Sequence, residues 1–62
     1  MKVYYKGTEF RFDESMSALK LLSKLSLNVN EVVVVKNGTI ITEDEVLSRD
    51  DEVKIINTVS GG

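Results

Sequence analysis

Apolar residues alternate along this chain in short stretches. From Met1 to Lys6, Val3 and Tyr5 alternate with Lys2, Tyr4 and Lys6, which predicts a strand with one apolar and one mixed face. Lys6-Gly7 reads as a tight turn, with Gly7 free to take positive φ. Thr8 to Phe12 then returns, with Phe10 and Phe12 on one face and Glu9 and Arg11 on the other, so the two segments form an antiparallel hairpin. The period then changes. Met16, Ala18, Leu19, Leu22 and Leu25 recur at three- and four-residue spacing, while Ser17, Lys20, Ser23 and Lys24 fall mainly on the opposite side. This predicts a helix from about Ser15 to Leu25. Asp13-Glu14-Ser15 is its expected start, with acids at the positive end of the helix dipole.

After loop residues Asn28 and Asn30, Val32-Val33-Val34-Val35 is the most β-branched run and predicts an interior strand. Asn37-Gly38 is a strong hairpin signal, and Thr39 to Ile41 is the short partner strand. Thr42-Glu43-Asp44-Glu45 has the pattern of a capping box, so one helical turn burying Val46 and Leu47 is expected next. Arg49-Asp50-Asp51 is a turn, and Glu52 to Asn57 is the last strand. The first and last strands are expected to lie side by side at the centre. The resulting fold class is α+β: a roll with a mixed sheet of four or five strands and one main helix on one face. Residues 1–57 form the domain, and 58–62 form a flexible tail.

The composition narrows the chemistry. A 62-residue chain buries about 60% of the surface its unfolded form exposes, so its core must supply most of the stability. There is no cysteine and no histidine, which removes disulfides, a thiolate nucleophile and an imidazole base or metal ligand. A net charge of −2 gives no basic footprint for nucleic acid. No apolar run is long enough for a membrane span, and Met1-Lys2-Val3-Tyr4 is not a signal peptide. A cytoplasmic protein is expected.

The remaining constellations have structural explanations. Glu43-Asp44-Glu45 and Asp50-Asp51-Glu52 lack the alternating oxygens and internal glycine of a calcium loop, so no metal site is expected. Lys6-Gly7-Thr8 has one glycine and no helix directly behind it, unlike a phosphate loop. The sheet face away from the helix is more promising. Alternation assigns it Tyr4, Lys54 and Ile56, and adds Val34 if Lys36 points outward. Such a face, with apolar residues among Lys2, Lys6 and Lys54, is a candidate docking patch.

The element order, closing on a strand and "SGG", resembles the ubiquitin-like β-grasp proteins. Residues 32–62, "VVVVKNGTIITEDEVLSRDDEVKIINTVSGG", resemble the ThiS/MoaD sulfur carriers in particular. The features that match are the valine-rich strand, the Asn37-Gly38 hairpin, the "DDEVKII" turn and strand, and the "VSGG" terminus.

This resemblance implies a carrier protein rather than an enzyme. Its reactive group would be the α-carboxylate of Gly62, adenylated by a ThiF/MoeB-like partner and then converted to a thiocarboxylate. ATP and a sulfur donor would be used by the partner enzymes, with no cofactor bound to the carrier. Val59, Ser60, Gly61 and Gly62 would thread the partner's active site; four extended residues span about 13–14 Å. Gly61 and Gly62 suit a narrow channel because they have no Cβ. The resemblance leaves three roles open, of which the short chain favours the first, since MoaD-like carriers tend to have longer loops. A ThiS-like carrier would serve a thiazole synthase in thiamine biosynthesis. A MoaD-like one would serve the large subunit of molybdopterin synthase. A ubiquitin-like modifier would join Gly62 to lysines by isopeptide bonds.

Overall fold

A computed structural model describes residues 1–58. Its elements are β1 (Lys2–Tyr5), β2 (Thr8–Arg11), β3 (Met16–Ser17), α1 (Ala18–Lys24), a 3₁₀ turn (Val29–Glu31), β4 (Val32–Lys36), β5 (Thr39–Ile41), β6 (Val46–Leu47) and β7 (Glu52–Asn57). The main sheet has the order β2-β1-β7-β4-β5, with β1 and β7 parallel at its centre and the other pairs antiparallel. With α1 packed on one face, this is the expected β-grasp roll.

The two hairpins are built alike. Lys6 and Gly7 have φ of 50° and 78°, and Asn37 and Gly38 have 49° and 86°. Positive φ at both central residues is the type I′ geometry, whose twist matches that of the flanking strands. The core joins Val3, Val53, Ile55 and Val34 from the sheet to Ala18, Leu21 and Leu22 from the helix, with Met16 and Leu47 beside them. Tyr5, Phe10, Phe12 and Leu25 pack around that centre.

Two expected elements take another form. The helix starts at Ala18, three residues later than the sequence suggests, because Met16 and Ser17 pair instead with Leu47 and Val46 as a small second sheet. Its first amides are satisfied from elsewhere: Ala18 N–H donates to the Glu45 carbonyl (2.9 Å), Leu19 N–H to the Glu43 carbonyl (2.8 Å) and Lys20 N–H to Ser17 Oγ (3.1 Å). Asp13 and Glu14 therefore lie outside the helix and cap nothing in it. The buried stripe is Ala18, Leu21, Leu22 and half-buried Leu25, whereas Leu19 is 51% exposed.

The segment Thr42–Glu45 forms no capping box. Thr42 Oγ1 donates to the Asp44 carboxylate, and the Glu43 and Glu45 carbonyls serve the start of α1. Val46 and Leu47 then form a strand, with Leu47 fully buried and Val46 exposed. A helical turn there would withdraw the carbonyls on which the helix start depends.

Candidate functional site: an open sheet face beside the C-terminal arm

Strand β7 supplies both the centre of the core and the centre of the open face. Val53 and Ile55 point into the core, so Lys54 and Ile56 point outward. Register then fixes the rest. One outward row runs Glu9–Tyr4–Lys54–Val35–Ile40 across all five strands, and the next pairs Ile56 with Val33. Charge gathers at one side of this face, where Lys2 and Arg11 flank Glu9 and Tyr4. Apolar surface gathers at the other: Ile40 is 71% and Ile56 52% exposed, with half-buried Val33 and Val35 between them.

Tyr4, Lys54 and Ile56 stand where the alternation places them. Val34 does not. It is 4% exposed, lies opposite Ile55 and Ile41, and belongs to the core. The misleading residue is Lys36, which shares the inward parity of Val34. Lying at the end of its strand, it reaches past the core so that its Nζ lies 3.7 Å from Glu45 and 3.9 Å from Asp51. Val33, Val35 and Ile40 take the place of Val34. The two-residue Asn37-Gly38 loop pairs Lys36 with Thr39 and thus puts Val35 and Ile40 on one face, but only the pairing of β4 with β7 shows that this face is the open one.

The electrostatics of the charged side are local. Arg11 Nε donates to Glu9 at 2.7 Å, and this bond lowers the Glu9 pKa from its ordinary value. The Tyr4 hydroxyl is raised, first by desolvation and then by the Glu9 charge. The Tyr4 hydroxyl thus belongs to the charged side of the face, beside Glu9.

The root of the arm is held on two sides. Thr58 N–H donates to the Glu31 carbonyl at 2.9 Å, continuing the β4–β7 pairing one residue beyond Asn57. Tyr5 Oη donates to Asn57 Oδ1 at 3.2 Å from the β1 side. Thr58, expected to open the flexible tail, is thus tied to the domain by its backbone. Val59, Ser60, Gly61 and Gly62, the expected threading segment and reactive terminus, lie outside the described residues.

Among the described residues, no group of three or more acidic side chains is placed to hold a metal ion, and no helix is long and apolar enough to cross a membrane. Asp51 is engaged internally, accepting from Ser48 N–H and Asn37 Nδ2. A cleft of about 390 Å³ at the opposite end of β7, between Lys2, Arg11, Arg49 and Asp50, carries both signs of charge.

Over residues 3–62, almost the whole chain including the Gly-Gly segment, the sequence matches the ThiS family. The chain belongs to the ThiS family. Among solved structures it is similar to the thiamine biosynthesis protein ThiS from Geobacter metallireducens, at 25% identity, with 100% of each chain covered and a TM-score of 0.70. Comparison with curated proteins gives no match. In this ThiS-family chain, the open face and the arm root share β7: Ile56 stands two residues before Thr58.

Proposed function

We propose that this protein is a sulfur carrier of thiamine biosynthesis and acts through the α-carboxylate of Gly62. The observation that carries this reading is the ThiS-family match, which runs through Gly61 and Gly62. The likeness to a thiamine biosynthesis protein along the full chain supports the pathway.

The chemistry follows from what a carboxylate lacks. It is a poor electrophile, so an activating enzyme first directs its oxygen onto the α-phosphorus of ATP, releasing pyrophosphate and forming an acyl-adenylate. A persulfide-type sulfur donor then attacks the carbonyl with its terminal sulfur and AMP leaves with the bonding pair. A thiol attacks the donor's own sulfur in the resulting acyl disulfide, is oxidised into a disulfide with it, and leaves a thiocarboxylate on the carrier. Its soft anionic sulfur attacks the intermediate held by a thiazole synthase. The carrier contributes reach, a backbone without Cβ atoms at Gly61 and Gly62, and a docking surface.

That surface is the open face, with Ile56, Val33, Val35 and Ile40 as its apolar part and Tyr4 and Lys54 as its polar edge. Docking there holds the root at Thr58 while the last four residues reach about 13–14 Å into the partner.

The test is intact mass spectrometry after incubation with a cognate activating enzyme, ATP and a sulfur source. The expected result is replacement of one oxygen by sulfur, lost when Gly62 is deleted or Gly61 is made bulky, with the thermal midpoint unchanged. A truncated chain that still gains sulfur would overturn the assignment.

A further inference from the structure

The sequence pair Asn37-Gly38 does more than turn a hairpin. The Asn37 side chain ties that hairpin to the loop before β7: its Nδ2 donates to Asp51 Oδ1 at 2.9 Å, and its Oδ1 accepts from Glu52 N–H at 2.9 Å. Its backbone N–H also donates to the Glu52 carbonyl at 2.8 Å. The carboxamide thus substitutes for a missing strand pair at this end of β7. Asp51 is held in turn by Ser48 N–H at 2.7 Å.

The next residue is the one most able to attack that carboxamide. Gly38 has no side chain to shield its backbone nitrogen, and nothing lies within 4 Å of where a Cβ would sit. The ladder bonds of a two-residue loop are carried by the closing pair, Lys36 and Thr39, and the Gly38 N–H takes no part in them.

We propose that Asn37 is a deamidation site whose rate is set by its clamp to Asp51 and Glu52. The Gly38 nitrogen loses its proton to water or hydroxide and attacks Asn37 Cγ. The Cγ–Nδ2 bond breaks, ammonia leaves, and a cyclic imide forms. Water attack at Cγ opens the ring to an aspartate, and attack at the backbone carbonyl of residue 37 opens it to an isoaspartate, whose chain runs on through Cγ. While both clamp bonds hold, Cγ cannot turn toward Gly38 N, so reaction requires local opening.

The product cannot remake the clamp. An oxygen in place of Nδ2 faces the Asp51 carboxylate at the present 2.9 Å with no proton to donate. Two like charges now meet where a neutral amide joined the loops, and the hairpin loses its anchor. The site is at the far end of β7 from the arm, and the inference stands apart from the carrier reading.

The experiment is peptide mapping of the full chain after incubation at mildly alkaline pH. It resolves aspartate and isoaspartate at position 37 from changes at Asn28, Asn30 and Asn57. Asp51→Ala is expected to deamidate at Asn37 about two- to tenfold faster than wild type, the factor for releasing one hydrogen bond. Leu22→Ala, weakened in the core away from the clamp, distinguishes local from global opening and is expected to show a smaller increase. Equal rates in Asp51→Ala and wild type, or an equal increase in Leu22→Ala, overturn the proposal. Asn37→Asp measures the consequence. It is expected to lose stability at neutral pH and regain it when Asp51→Asn is added, which restores one neutral donor between the two positions. Unchanged stability in the single variant would remove the proposed effect on the anchor.

Discussion

Asp51 joins three parts of the chain through its two carboxylate oxygens. One accepts from Asn37 and the other from Ser48 N–H, while Lys36 Nζ lies 3.9 Å away. The Ser48 bond is the largest cause of its lowered pKa, followed by the Asn37 bond. Because the folded pKa lies below the unfolded one, Asp51 contributes its full stabilisation above the ordinary aspartate value of 3.8. That contribution is lost as pH falls through the lower folded value. Asp51→Asn is therefore expected to flatten part of the acid limb of stability against pH, measured by urea unfolding. An acid limb identical to wild type would remove Asp51 from it. The adjacent valines give a second check at the same level. Val34 is buried and Val33 half-buried on the other face, so Val34→Ala should cost about 2 kcal/mol and Val33→Ala clearly less. Equal shifts in the unfolding midpoint would contradict the register.

The helix shows how a short element survives without strong intrinsic signals. At seven residues it is too short to be stable alone, and both ends are finished by bonds from outside the regular ladder. At the start, the Glu45 and Glu43 carbonyls and Ser17 Oγ receive the first three amides. Ser17→Ala should cost about 1 kcal/mol, while Ser15→Ala, two residues before the true cap, should be close to neutral. The reverse order in thermal unfolding would restore the earlier helix start. At the other end, Ser26 N–H bonds the Ser23 carbonyl and Leu27 N–H bonds the Leu22 carbonyl, a Schellman arrangement with Ser26 at φ 58°. A serine in that left-handed position carries a strain that glycine avoids. Ser26→Gly is expected to stabilise the protein by about 1 kcal/mol, and a loss of stability would contradict the motif.

For the molecule as a whole, one strand links stability to function. Strand β7 holds Val53 and Ile55 in the core, leaves Lys54 and Ile56 exposed on the open face, and ends at Asn57, one residue before Thr58. If the proposed carrier role holds, docking and chemistry should be separable by mutation. Ile56→Asp lies on the open face and should raise the KM for the activating enzyme with little change in kcat, because it removes binding common to ground and transition states. Deleting Gly62 should abolish thiocarboxylate formation while leaving the fold intact. A fall in kcat alone for Ile56→Asp would contradict a docking role for that side chain.

The β-grasp order was legible because its signals are local. Period-two alternation marked β1, β2 and β7, and Gly7 and Asn37-Gly38 marked the two turns, although the positive φ of Lys6 had no signal of its own. The Gly61-Gly62 ending and the segment from Val32 onward carried the family resemblance. Residues 13–17 and 42–47 misled because serine, threonine and acids before an apolar run suit a helix cap and a turn equally well. Long-range pairing chose between them: Met16 found Leu47, and the carbonyls of Glu43 and Glu45 found the helix amides. The open face was half legible for a related reason. Alternation says which residues share a face but not which face is inward, and Lys36 concealed the answer by extending from the inward side to Glu45 and Asp51. A charged side chain with a long stem can begin among core neighbours and end in water, so its charge alone does not report its direction. Packing against β7 settled it, burying Val34 opposite Ile55 and leaving Val33, Val35 and Ile40 on the open face.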